Sequence, residues 1–324
     1  MGLKRGGTLW MDDQNTIVLD LTYLCNSTCR YCRWGSSNTE GRKNLTVNSL
    51  IIPKSTLDAL NTKRLVLSGG EPRLYPNIGE VLSYYREYVE NIILITNGYG
   101  VKSSQIESLI DKGINGFTFS IDSMIPEEEY ASRRTGPKMF RNILASLREI
   151  SGPRREFELG INTVVTHANA KWGSIRKLLE FSEELGLDFI KFSPIFDDGY
   201  AGLNAPDLLL TEKDADNLRI IGEKITRYGF KNTNSPQFWF DIAEMTMGKQ
   251  PQGVRCGLGP HKANSINGVL TMCYWVKEVT YGQTNSALSY EHVTSIQRQL
   301  ELSKQNCTVN FHCFCNQKIS HTWW

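Results

Sequence analysis

Short apolar runs alternate along most of the chain with stretches in which apolar residues recur every three or four positions. Residues 17–21, 64–68, 91–95, 116–122, 158–165 and 189–194 read as strands. Between them, Ile78, Val81, Leu82 and Tyr85 recur at helical spacing, as do Ile106, Leu109 and Ile110, then Phe140, Ile143, Leu144 and Leu147, then Ile175, Leu178 and Leu179. Strand and helix in alternation predict right-handed βαβ units and a parallel sheet, and runs this apolar predict strands buried on both faces. Thr211 and Asp214 form a capping box ahead of a helix whose core face is Leu218, Ile221 and Ile225. Phe238-Trp239-Phe240, with Ile242 and Met245, reads as a core helix, with Trp239 as its candidate for a substrate-facing side chain. Pro and Gly then gather around residues 230–250 and mark a boundary, so two domains are expected, 1–230 and 231–324. In the second, Asn267-Gly268 between two short strands predicts a hairpin, and a helix is expected over 290–304.

Composition narrows the classes. With 324 residues and 40% apolar content the chain can bury a proper core. A net charge of +2 without a basic tract gives no case for nucleic acid, and no apolar run reaches the roughly 18 residues of a membrane span. A cytoplasmic protein is expected. Eight cysteines fall into two groups, three near the start and five from Cys256 onward. A long chain without a signal peptide is a poor disulfide scaffold, so the clustering suggests two metal centres.

Cys25, Cys29 and Cys32, spaced C-x3-C-x2-C directly after the first strand, can present three thiolates to one soft metal centre and leave a position open. Structural zinc wants a fourth ligand, and the first histidine after them in the sequence is His167. A three-cysteine iron–sulfur cluster with one unligated iron fits better. The motif resembles that of radical SAM enzymes, in which the open iron chelates S-adenosylmethionine (SAM) and one electron cleaves it to a 5′-deoxyadenosyl radical; Tyr31, before the third cysteine, fits the family pattern. Gly69-Gly70-Glu71-Pro72 looks like the family's GGE motif, whose backbone and carboxylate are positioned for the methionine ammonium. Ser120 and Asp122 lie where family members contact the ribose or the methionyl carboxylate, and Asn97 and Asn162 end their strands similarly. The resemblance implies a partial (β/α)6 barrel with its site at the carboxyl ends of the strands. The polar stretch 33–38 suits a loop that shields the cluster.

Cys256, Gly268 and Cys273 have the spacing that opens SPASM and twitch domains, the auxiliary-cluster domains of radical SAM enzymes. The final run Cys307-x5-Cys313-x-Cys315 departs from the full SPASM pattern of seven cysteines. A small C-terminal twitch-like domain with one auxiliary four-iron cluster is therefore expected, on Cys256, Cys273, Cys313 and either Cys307 or Cys315; two auxiliary clusters, or zinc on the same thiolates, are the alternatives. Cys307 is the candidate spare thiol and hydrogen-atom donor. The expected activity is reductive cleavage of SAM and hydrogen abstraction from a small molecule of sugar, aminoglycoside or nucleoside type, with electrons from a flavodoxin- or ferredoxin-type donor. Peptide maturases often carry a recognition domain of about 80 residues ahead of the barrel, whereas 24 residues precede Cys25. Maturation of a ribosomal peptide by cross-linking or epimerisation is the second reading. A non-catalytic iron–sulfur or zinc protein is the third.

Overall fold

Each apolar run becomes a strand. The computed structural model describes residues 15–34, 44–152, 155–195, 200–249, 255–256, 262–266, 268–271, 280–304 and 317–318. The chain runs β1 (Thr16–Thr22), α1 (Val47–Leu50), α2 (Lys54–Ala59), β2 (Arg64–Gly69), α3 (Ile78–Tyr85), β3 (Asn91–Thr96), α4 (Ser103–Asp111), β4 (Gly116–Ser120), α5 (Pro126–Arg133), α6 (Pro137–Ile150), β5 (Glu158–Val165), α7 (Trp172–Glu184) and β6 (Phe189–Pro194). It continues through α8 (Tyr200–Asn204), α9 (Ala215–Tyr228), α10 (Pro236–Thr246), β7 (Arg255–Cys256), β8 (Lys262–Ile266), β9 (Val269–Thr271), β10 (Thr280–Gln283), α11 (Tyr290–Lys304) and β11 (Gln317–Lys318). The strand 116–122 stops at Ser120, leaving Asp122 in the loop beyond it. Helices α1, α2, α5 and α8 are additions to the expected pattern: α1, α2 and α8 are short, and the acidic α5 carries no apolar stripe.

Strands β1 to β6 pair in chain order, all parallel, and β8, β9 and β10 extend the same sheet beyond β1. β8 runs parallel to β1, and β8 and β9 form the antiparallel hairpin, Ile266 pairing with Val269 and Gly268 at φ 75°. The outer edge of β6 is covered by the segment before α10. Ile190 N–H donates to the Asn232 carbonyl at 2.9 Å, and the Asn234 side chain accepts from Phe192 N–H at 2.7 Å and donates to its carbonyl at 3.2 Å.

The two faces of the sheet differ. One carries Ile17, Leu19, Leu21, Leu65, Leu67, Ile92, Leu94, Phe117, Phe119, Leu159 and Ile161, which join the inner faces of α3, α4, α6, α7 and α9 in one apolar core. Adjacent partners in parallel register share a face, so the opposite one carries Asp20 with Ser68, Thr118 with Gly160, Ser120 with Asn162 and Lys191, and Val164 with Ser193. Several of these are partly accessible where their neighbours along the strand are buried. The strands are buried on both faces over their first halves, as expected, with Val66, Ile93, Thr118 and Phe189 buried on this second face. Toward the carboxyl ends it turns polar and partly accessible, as the inner wall of a curled barrel does at its mouth. Trp239 is fully buried, its ring 5.1 Å from that of Phe192 on β6, so it faces the core and not a substrate.

Candidate metal centre and cofactor site

The loop after β1 holds all three cysteines and is fixed from two sides. From β2, Gly70 N–H donates to the Thr22 carbonyl at 2.7 Å and Glu71 N–H to the Leu24 carbonyl at 2.8 Å. A Cβ on Gly69, which sits at φ 112°, would collide with the Thr22 carbonyl, and one on Gly70 with that of Leu24. The two glycines are therefore what lets the β2 turn lie against the cysteine loop. Trp34, at the far end of the loop, stacks on Tyr23 with centroids 4.1 Å apart.

Glu71 binds the end of β3 to this turn. Its Oε1 accepts from Thr96 Oγ1 and Arg73 Nε, both at 2.9 Å, and its Oε2 from Asn97 N–H at 2.8 Å. Both carboxylate oxygens of this fully buried side chain are engaged within the protein. Asn97 in turn reaches the cysteine loop, its amide donating to Asn26 Oδ1 at 2.8 Å and lying 3.8 Å from Cys25 Sγ.

From β4 and α5 comes a buried charged network that the sequence reading missed. Tyr31 donates its hydroxyl hydrogen to Asp122 Oδ2 at 2.7 Å and accepts from Arg133 Nη1 at 3.3 Å. Asp122 Oδ1 accepts from Val164 N–H at 3.0 Å, and Glu129, whose Oε2 caps the Asp122 and Ser123 amides, pairs with Arg133 at 3.4 Å. Burial raises the Glu129 carboxyl to about 7, against the pull of Arg133. Arg133 is 7% exposed and its charge also bears on Cys29. Arg30, in the cysteine loop, adds a bidentate pair to Asp207 at 2.9 and 2.6 Å, and its backbone N–H donates to the Ser132 carbonyl at 2.9 Å. Ser120 and Asn162 are register partners on β4 and β5, partly accessible on the inner wall.

The donor set suits a cluster. Cys29 is buried, and burial pushes its thiol up to about 11; Cys25, partly exposed, is raised for the same reason, Ser27 N–H opposing this at 3.4 Å from its Sγ. Thiols so raised ionise when a metal centre supplies the charge. Among the described residues no three His, Cys, Asp or Glu side chains converge as ligands of a single ion would. A four-iron cluster asks for something else, three thiolates each on its own iron. Cys273, Cys307, Cys313 and Cys315, and the shielding stretch beyond Trp34, lie outside the described residues; Cys256 is in β7, whose backbone pairs with Gln317.

A partial parallel barrel with three cysteines at the carboxyl end of β1, gripped by a Gly-Gly-Glu turn on β2, defines a cluster-binding α/β-barrel protein. Residues 19–193 match the model of the Radical SAM superfamily, and the chain belongs to that superfamily. It is a radical SAM enzyme, with SAM and a four-iron cluster as its cofactors. Among curated proteins it is 29% identical over 170 residues to the AdoMet-dependent heme synthase of Methanosarcina barkeri, covering 52% of this chain and 47% of that protein. A probable GTP 3′,8-cyclase of Metallosphaera sedula is 26% identical over 169 residues, 52% of this chain and 51% of its own length. The chain thus spans about half the length of these relatives. Among solved structures, anSMEcpe with bound AdoMet superposes with a TM-score of 0.65 at 17% identity, over 92% of this chain and 87% of that one. Streptococcus suis SuiB bound to S-adenosylmethionine gives 0.65 at 16%, over 93% and 72%. These likenesses give the fold, and the matched chains extend past the barrel.

Proposed function

We propose that the protein abstracts a hydrogen atom from a small polar molecule held in the bore of the barrel. The single observation carrying this is the convergence at one end of the sheet of the cysteine loop, the Gly-Gly-Glu turn and the buried Tyr31–Asp122–Arg133 network, above an accessible polar wall. When bound, the cluster and SAM supply a carbon-centred radical strong enough to break an unactivated C–H bond. The chain's own residues hold and orient. Cys25, Cys29 and Cys32 ligate; Asn97 sets the cysteine loop; the exposed edge of the Gly69-Gly70 turn offers backbone to the methionine end of SAM. Arg133 places a cation beside the thiolates. Glu71, Asp122 and Tyr31 act as positioning residues, their polar atoms already joined to one another or to backbone. Ser120 and Asn162 face the bore and are assigned to SAM or substrate hydroxyls.

A small polar substrate is supported by that wall and by two relatives whose names state small-molecule chemistry. The reductant is a low-potential flavodoxin or ferredoxin. The test is anaerobic incubation of reconstituted protein with SAM and dithionite. Formation of 5′-deoxyadenosine, abolished when the three cysteines become alanine, is expected. Its absence in wild type would leave a non-catalytic cluster protein.

A further inference from the structure

The bore holds one group that the reading above does not use. Asp20 lies on β1 in register with Ser68, just before the irregularity at Thr22, and alternation with Leu19 and Leu21, both in the core, turns it to the inner wall. The row it shares continues through Ile95, which pairs with Thr118, and Thr118 with Gly160, which pairs with Phe189. The Phe189 ring occupies the space a Cβ on Gly160 would need, so the row is a floor: apolar at Ile95 and Phe189, polar at Asp20, Ser68 and Thr118. Asp20 is 5% exposed and its Oδ2 has no hydrogen-bond partner among the described residues. Among the same residues the Thr118 Oγ1 on this floor also lacks one. Among the described residues no charged neighbour perturbs the carboxyl, and burial raises it to about 7.

An unsatisfied buried oxygen is destabilising, and native chains keep few of them without a use. A ligand that relieves it must bring a donor. One that also brings positive charge supplies the counter-ion the site lacks, and a carboxyl poised near neutrality ionises to meet it. An anionic group would be repelled.

We propose that Asp20 is a substrate-recognition residue on the barrel floor and that the substrate carries a protonated amine, which Asp20 pairs with. This rests on the bore being the substrate site. The test uses anaerobically reconstituted, SAM-loaded protein and calorimetric titration with glucosamine, tyramine and cadaverine, each against its N-acetyl counterpart. At least one amine is expected to bind wild type tenfold or more tighter than its acetylated form, and Asp20→Asn should erase that preference. A variant melting no lower than wild type shows that the loss is local. No amine preference in wild type, or a preference that survives in the variant, overturns the proposal. Wild-type 5′-deoxyadenosine formation, measured alongside, separates the two failures: SAM cleavage without amine preference sinks the Asp20 assignment alone, whereas no SAM cleavage sinks the function.

Discussion

At Asp20 the fold holds a carboxyl out of water with no partner among the described residues, and the consequence is a pH dependence of known sign. An unfolded aspartate loses its proton near 3.8, the folded one at about 7. Between the two the folded state keeps a proton that the unfolded state has lost. That stabilisation is whole below 3.8, declines as pH rises, and is gone above about 7. Asp20→Asn carries no such penalty, so its advantage over wild type should grow from about pH 5 to about pH 8, by on the order of 1–4 kcal/mol in urea melts. A difference flat across that range would mean the carboxyl is not desolvated. Glu71 makes the opposite case, a buried charge that is fully partnered. Removing it leaves Arg73 with neutral partners, the Thr96 hydroxyl and the Tyr99 carbonyl, so Glu71→Ala should cost about 3–5 kcal/mol and release iron from the cysteine loop as well as weaken SAM binding. Iron content unchanged with only SAM affinity lost would make Glu71 a direct SAM contact. The cysteines and the Gly-Gly-Glu turn were legible in the sequence because their spacing is local. Arg133 was not: it closes a run, Glu127-Glu128-Glu129-Tyr130-Ala131-Ser132-Arg133, that looks like a solvated helix face. Only the fold shows Glu129 and Arg133 turned inward, onto Asp122 and Tyr31.

Among the elements, the strands and the longer helices could be read from periodicity because each buries one face against the same core. The inner wall could not, since Asp20, Ser68, Ser120 and Asn162 are single polar positions within apolar runs, and only the register between strands sets them side by side. The link between the cysteine loop and the segment after β6 was equally out of reach, joining residues 177 positions apart. Arg30 and Asp207 form it in bidentate fashion, with Asp207 well exposed and Arg30 also held by the Ala131 carbonyl at 3.1 Å. A partly exposed pair adds little to global stability, about 0–1 kcal/mol. Its effect is local, on how far the loop and the turn around Pro206–Leu208 can separate. Asp207→Ala should leave the melting temperature within a few degrees. It should speed iron release to a chelator and raise amide exchange across residues 25–34, more so at low salt, where the pair is least screened. Unchanged release and exchange would show that the contacts to α5 suffice.

For the whole molecule, the open matter is what the five late cysteines do. β8 joins the barrel sheet through β1, and the pairing of Cys256 with Gln317 returns the end of the chain to the first of those cysteines. In sequence Cys315 stands two positions before Gln317. We assign residues 231–324 to a twitch-like unit with one auxiliary four-iron cluster on Cys256, Cys273, Cys313 and Cys315, its first helix α10 lying against α9 of the barrel. The fifth thiol, Cys307, is then spare. Reconstituted protein should carry about eight iron and eight sulfide, two four-iron clusters, and Cys25, Cys29 and Cys32 replaced by alanine should lose half of them. Two zinc and no iron under those conditions would remove the cluster assignment altogether. With that content in hand, Cys307→Ala discriminates between the two fates of a substrate radical. It either surrenders an electron, giving an oxidised product, or takes a hydrogen atom from a weak S–H bond, giving an inverted centre. Full iron in the variant, together with loss of deuterium incorporation from solvent at the reacting carbon, would make Cys307 the hydrogen donor. Loss of about four iron would make it a ligand in place of Cys315 and leave oxidation as the outcome, with the auxiliary cluster as the electron acceptor.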